Sequence, residues 1–173
     1  FLDSIVSSSS DAEVSVFSFL VNMDWIFEKF LGEFMKIHRN QIGIKSIGGV
    51  SSYLGYLNNP NGSNDDMFQI NLDYLITLSS PVNKRIIADA KYKRIYLEIE
   101  PKNNVTDNFG IQSKDMYQMI SYSFRKGIKQ IILFYPQYAC NGENLIKHNF
   151  EILNSDKDPK IHITASTLNI IEP

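Results

Sequence analysis

Two apolar runs stand back to back in this chain, and each is interrupted by charge. Met67–Leu78 (MFQINLDYLITL) and Lys84–Ile99 (KRIIADAKYKRIYLEI) are separated by little more than Ser80-Pro81-Val82-Asn83. So short a connection, built from turn formers, predicts two strands paired as a hairpin. Asp73 breaks the first run between Leu72 and Tyr74. A carboxylate in such a strand is costly unless it is paired or bound to a cation, although a strand end or a surface lysine would also satisfy it. An antiparallel partner strand would bring Asp89, sixteen residues on, alongside it.

The pattern acid-x-Lys occurs three times, as Asp89-Ala90-Lys91, Glu100-Pro101-Lys102 and Asp158-Pro159-Lys160. Proline in the middle position removes a ladder donor, so the last two are not expected side by side on a central strand. In a strand, residues i and i+2 share a face, which places the Asp89 carboxylate next to the Lys91 ammonium while Ala90 points away. Two acids that hold Mg²⁺ beside a lysine fit phosphodiester hydrolysis. The hard cation takes carboxylate oxygens, keeps waters and lowers the pKa of one of them. Lys91 would orient the attacking water or stabilise the pentavalent state.

Around these runs the chain alternates. Residues Phe1–Val21, serine-rich at Ser7 to Ser10, read as the tail of a preceding segment, with the main domain over residues 22–173. Asn22 is a suitable N-cap, Asp24 and Glu28 follow, and Ile26, Phe27, Phe30, Leu31, Phe34, Met35 and His38 recur at helical spacing. This predicts an amphipathic helix whose apolar face is core. Asn58–Asp66 reads as a loop, and Lys102–Ser113 as another. Ser113 is expected to cap a second helix, KDMYQMISYSFRKG, which Gly127 ends. Ile128–Pro136 has the continuous apolar run of a buried strand, and two more strands are expected at HNFEIL and KIHITASTLNI. The fold class is α/β, a mixed sheet flanked by helices.

A chain of 173 residues, 43% hydrophobic, is long enough for one well-buried core. It begins with Phe, so it reads as a fragment that lacks an upstream region. Cys140 has no partner for a disulfide, and His38, His148 and His162 lie too far apart for zinc-ligand spacing. With no membrane-length apolar run and no signal-peptide order, a soluble protein in a reducing cytoplasmic setting is expected. The net charge of −2 argues against finding nucleic acid by bulk electrostatics. Locally, Lys84, Arg85, Lys91, Lys93, Arg94 and Lys102 outnumber Asp89, Glu98 and Glu100, a net of +3, which also suits an ordinary solvated strand.

Asp73, then Asp89-x-Lys91 on the next strand, then a helix, resembles the PD-(D/E)xK nuclease superfamily. More narrowly, FLVNMDWIFEKFL, ADAKYK, DMYQMISY and ILFYP, in this order, resemble the McrC family, the nuclease subunits of McrBC-type modification-dependent restriction systems. The resemblance runs from about Phe19 to the last strand. It implies a restriction-endonuclease-like fold, with Asp73 and Asp89 as Mg²⁺ ligands (Mn²⁺ substituting), the Ala90 carbonyl as a further ligand and Lys91 as the catalytic lysine. Glu28 matches an acidic position on the first core helix that faces the metal in many relatives, and equally suits a first-turn Glu favoured by the helix dipole. Gln118 and Tyr122, at i and i+4, are similar to a Gln-x-x-x-Tyr motif near the site of related nucleases. One departure is Leu72, where the family usually has proline before the first acid.

The resemblance implies an endonuclease acting on double-stranded, modified DNA with an AAA+ GTPase motor of the McrB type. A stand-alone repair or junction nuclease of the same fold, and a catalytically silent scaffold module, are the alternatives. Upstream sequence would separate the first two, and divalent-metal binding the third.

Overall fold

The computed structural model describes residues 3–7, 14–18, 21–80, 83–96, 108–138, 145–152 and 160–169. Strands β1 (Asp3–Ser7) and β2 (Val14–Ser18) pair antiparallel as a sheet of their own, where the sequence reading had placed a tail. Helix α1 (Met23–Ile37) starts as expected, with Asn22 Oδ1 accepting from the Trp25 backbone N–H at 3.0 Å. It is followed by β3 (Ile44–Asn58), β4 (Asn64–Leu78), β5 (Arg85–Ala90), α2 (Ser113–Lys126), β6 (Gln130–Pro136), β7 (Lys147–Ile152) and β8 (Ile161–Leu168).

The last six strands form one mixed sheet in the order β3-β4-β5-β6-β8-β7. Neighbours from β3 to β5 are antiparallel, β5–β6 and β6–β8 are parallel, and β7 is antiparallel to β8. The parallel step from β5 to β6 needs a crossover, and α2 supplies it. The helices lie on opposite faces. Met119 and Tyr122 of α2 pack with Ile70, Leu72, Ile87, Ile131 and Leu133, whereas Phe27, Leu31 and Met35 of α1 pack with Tyr74, Ile76, Ala88 and Ala90. Strand β6 lies between two parallel neighbours, with Ile131, Leu133 and Tyr135 almost fully buried, as its unbroken apolar run predicts. The expected α/β class, a restriction-endonuclease-like mixed sheet flanked by helices, is the architecture found.

Four local expectations need correction. The apolar face of α1 is only half core: Ile26, Phe30 and Phe34 are 39%, 46% and 45% exposed. The sheet offers α1 a narrow floor at Ala88 and Ala90, which the Phe27–Leu31–Met35 stripe fills. Strand β5 stops at Ala90 instead of running to Ile99, because the chain turns sharply, with Lys93 N–H donating to Lys91 O at 2.8 Å. Ser113 is inside α2; Gln112 is the N-cap and makes no side-chain cap bond, while Gly127 does end the helix in the left-handed region. Residues 44–57, for which the sequence pattern makes no prediction, form most of β3. The turn-rich Asn58–Asp66 stretch shrinks to a tight turn at 59–63, with strand on both sides.

The β3–β4 pairing carries the feature that shapes the site. Gly48 pairs with Leu75 but Val50 pairs with Leu72, so Asp73 and Tyr74 together oppose Gly49. This is a β-bulge, which flips the strand's alternation. Ile70 and Leu72 face α2, and two residues later Tyr74 and Ile76 face α1. Beyond the bulge the paired strands continue to Asn58 and Asn64, although β5 pairs only with Tyr74–Thr77 of β4. A two-stranded ribbon therefore projects past the sheet, with Tyr56 62% and Phe68 71% exposed.

The segment after β5 is held by a second close approach. Tyr96 N–H donates to Phe109 O at 2.9 Å, and both Phe109 and Gly110 have positive φ, 58° and 79°. A Cβ on Gly110 would stand 2.6 Å from Arg94 O. Gly110→Ala is expected to cost about 1–3 kcal/mol through left-handed strain and this backbone clash. A urea midpoint equal to that of the parent would show that the turn does not pack this closely.

Candidate active site

Pairing of Tyr74 with Ala88 places Asp73 opposite Asp89 at the end of the β4–β5 ladder. The bulge turns the Asp73 side chain across to β5, where Oδ2 accepts the Ala90 backbone N–H at 2.9 Å. Strand alternation then sends Ala88 and Ala90 toward α1 and leaves Asp89 and Lys91 on the α2 side. Lys91 Nζ lies 2.6 Å from Asp89 Oδ2, and its own backbone N–H extends the parallel ladder by donating to Phe134 O at 2.8 Å. Asp73, Asp89 and Lys91, expected together from sequence, are together in the fold.

Gln118 and Tyr122 close the circuit from α2. Lys91 Nζ donates to Gln118 Oε1 at 3.1 Å, Gln118 Nε2 donates to the Tyr122 hydroxyl at 2.7 Å, and that hydroxyl donates to Asn71 O at 2.9 Å. The helix thus links the lysine on β5 to the backbone of β4 just before the bulge. The i, i+4 spacing read from sequence is what lets one amide serve both neighbours.

Glu28 stands apart. It shares with Asp73 a cavity of about 280 Å³, also lined by Gly49 and Asn71, but its carboxylate pairs with Lys29 at 2.9 Å. Among the described residues no three His, Cys, Asp or Glu side chains gather closely enough to hold a metal ion. A cation here would rest on Asp73 and Asp89, with the Ala90 carbonyl and water completing its shell. Two carboxylates plus waters is an ordinary set for Mg²⁺.

Electrostatics favour such a cation. Burial raises the Asp73 carboxyl above its usual range, partly opposed by the Ala90 N–H. Asp89, 1% exposed, is pushed up to about 6 by burial first and by the Asp73 charge second, against the pull of Lys91. Burial alone would lower Lys91, but the carboxylates of Asp89, Asp115 and Asp73 more than offset it, and its pKa is raised. Asp89 Oδ2 touches Lys91 ionically yet has no hydrogen bond of good geometry. A buried oxygen so placed, beside a second acid, has the donor chemistry that a hard cation takes.

Two residues near the site escaped the sequence reading. Asp115, 3% exposed in the first turn of α2, accepts two hydrogen bonds from Lys93. Their spacing was a signal: Lys93 follows Lys91 by two, and Asp115 precedes Gln118 by three. The local surplus of bases expected over Lys84–Lys102 is also smaller than it reads, since Lys91 and Lys93 both face buried acids. The acid-x-Lys patterns at Glu100 and Asp158 begin outside the described residues.

A family model described as McrBC 5-methylcytosine restriction system component matches residues 1–136. No curated protein matches the chain. Among solved structures, a chain of the refined half-complex from a tetradecameric assembly of Thermococcus gammatolerans McrB AAA+ hexamers with bound McrC aligns at 18% identity and a TM-score of 0.48. The alignment covers 90% of this chain and 30% of the other, so this chain spans less than a third of that one.

A carboxyl whose folded pKa stands above its unfolded value near 3.8 weakens the fold when it ionises. Between the two values the folded protein binds more protons than the unfolded chain, so stability falls as pH rises through that window and levels off above it. In chelator-containing buffer the protein is expected to melt higher at pH 4.5 than at pH 7.5. Asp89→Asn is expected to gain on the order of 2 kcal/mol over the parent at pH 7.5, with the gap closing toward pH 4.5. A variant that melts below the parent at pH 7.5 would contradict this account of the site.

Proposed function

The chain belongs to the family of McrBC 5-methylcytosine restriction system components, and from that premise we propose that it is a Mg²⁺-dependent endonuclease domain of the PD-(D/E)xK type. It hydrolyses phosphodiester bonds of double-stranded, modified DNA in the cytoplasm, alongside an AAA+ GTPase motor. The observation that carries this reading is the meeting of Asp73, Asp89 and Lys91 at the end of the β4–β5 ladder.

Asp73 and Asp89 would hold the cation, which would supply an activated water and offset charge that builds on the phosphate. The chain's own groups do the rest. Asp73 is aimed by the Ala90 N–H, and Asp89 is buried against Lys91. The carboxylates around Lys91 hold its pKa up and favour the ammonium form. One of its N–H bonds is donated to Gln118 while Asp89 holds the ammonium by charge, which leaves N–H for the attacking water or a phosphate oxygen.

Asp89→Ala is expected to abolish both cleavage and Mg²⁺ binding, whereas Lys91→Ala is expected to lose cleavage and keep the metal, since an ammonium is not a ligand. Calorimetric titration with Mg²⁺ and Mn²⁺, beside a plasmid-nicking assay, separates the two. Equal loss of metal affinity in both variants would make Lys91 structural.

The slight negative net charge and the internal pairing of Lys91 and Lys93 leave little free positive charge beside the site for DNA phosphates. Affinity from so few contacts is low and drops further with salt. In ~100 mM salt with Mg²⁺, the domain alone is expected to cut plasmid weakly, and strongly once the motor subunit and GTP are added. Efficient double-strand cutting by the isolated domain would favour a stand-alone nuclease instead.

A further inference from the structure

A second charged pair lies one step behind the site. Lys93 Nζ donates to both oxygens of Asp115 at 2.9 and 2.8 Å, and to Gln112 Oε1 at 3.1 Å. The Asp115 side chain is 4% exposed and that of Lys93 26%. Taking both charges out of water costs about what their attraction returns, and apolar pairs of similar size often serve stability as well or better. The pair therefore calls for a reason other than holding the fold.

Its position supplies one. Lys93 sits just past the sharp turn that follows Lys91, so whatever fixes Lys93 also fixes the base of the Lys91 side chain. Asp115 lies in the first turn of α2, three residues before Gln118 and on the same side of the helix. At the other end of that stretch, Tyr122 is bonded to Asn71 O. The amide of Gln118, which receives Lys91, thus stands between two anchors, one to β4 and one to the chain leaving β5.

We propose that Lys93 and Asp115 form a positioning pair for the cleavage reaction: they lock the first turn of α2 against the segment after β5 and so set where Gln118 holds the Lys91 ammonium. This rests on Lys91 acting as proposed above. Neither residue touches substrate; both act through Gln118 and Lys91. Misplacing a reacting group by an ångström costs on the order of 100-fold in rate, which gives a lock here functional weight beyond its small share of stability.

The test uses the full chain with its motor subunit and compares the parent with Asp115→Asn, Asp115→Glu and the apolar double variant Lys93→Met/Asp115→Leu. Three quantities are read: the melting temperature, the kcat and KM for plasmid cleavage, and the rate at which Lys91 is reductively methylated, followed by mass spectrometry. The double variant is expected to melt close to the parent, to expose Lys91 to methylation several-fold faster, and to lose roughly 10- to 100-fold in kcat with little change in KM. Asp115→Glu should keep most of the activity. If the double variant melts far lower, the near-isosteric Asp115→Asn carries the same expectation. Parental methylation of Lys91 in the variants, or parental kcat, overturns the proposal. Methylation needs no cleavage, so the two failures are distinguishable: a parent that does not cut ends the nuclease reading and the positioning role with it, whereas a parent that cuts beside variants with parental methylation of Lys91 ends the positioning claim alone.

Discussion

The site depends on one hydrogen bond that the sheet does not make for itself. At the end of the β4–β5 ladder the Ala90 N–H is taken by the Asp73 carboxylate. That substitution is possible only because the bulge opposite Gly49 releases Asp73 from strict alternation. Without the extra residue, Leu72 and Tyr74 would face the same side and one of the two cores would lose its β4 contribution. With it, β4 feeds Ile70 and Leu72 to one helix and Tyr74 and Ile76 to the other. The irregularity that exposes an acid is the same one that lets a single strand serve both layers.

Charge follows from that geometry. Asp73, Asp89 and Asp115 gather around Lys91 and Lys93, three carboxylates against two ammonium groups, in a place where burial raises the cost of each. The deficit falls on Asp89, the most deeply buried of the set. A protein that only needed a stable core would fill this position with an apolar residue, because well-packed apolar groups match buried ion pairs at no electrostatic risk. The cation proposed above would offset that deficit.

Much of this was legible in the sequence, for reasons tied to particular residues. Asp73 and Asp89 announced themselves by breaking apolar runs, and period-two alternation put Lys91 beside Asp89. Asn22, Gly127 and the unbroken run of β6 carried their own local chemistry. What stayed hidden depends on contacts between distant segments. Strand β3, rich in Ser and Gly, has no strong pattern and becomes a strand by pairing with β4. The bulge is a property of two strands, so neither run displays it. Ile26, Phe30 and Phe34 look like core by periodicity, but the width of the surface beneath α1 decides how much of a helical face is covered. Asp115 escaped notice because its partner Lys93 lies on another element.

The β3–β4 ribbon has a consequence for how the molecule opens. From Gly55 and Met67 outward to Asn58 and Asn64 its two strands pair with each other alone, whereas Ile70 and Leu72 lie under α2 and Tyr74–Thr77 are flanked by β3 on one side and β5 on the other. Amide protons along β4 should therefore exchange with solvent in a gradient: fastest near the turn, by unzipping that leaves the core untouched, and slowest at the bulge, where exchange requires the sheet itself to part. Asn71, whose carbonyl receives the Tyr122 hydroxyl, sits where those two regimes meet. The polar circuit through α2 thus doubles as a stop that keeps fraying of the arm from reaching Asp73.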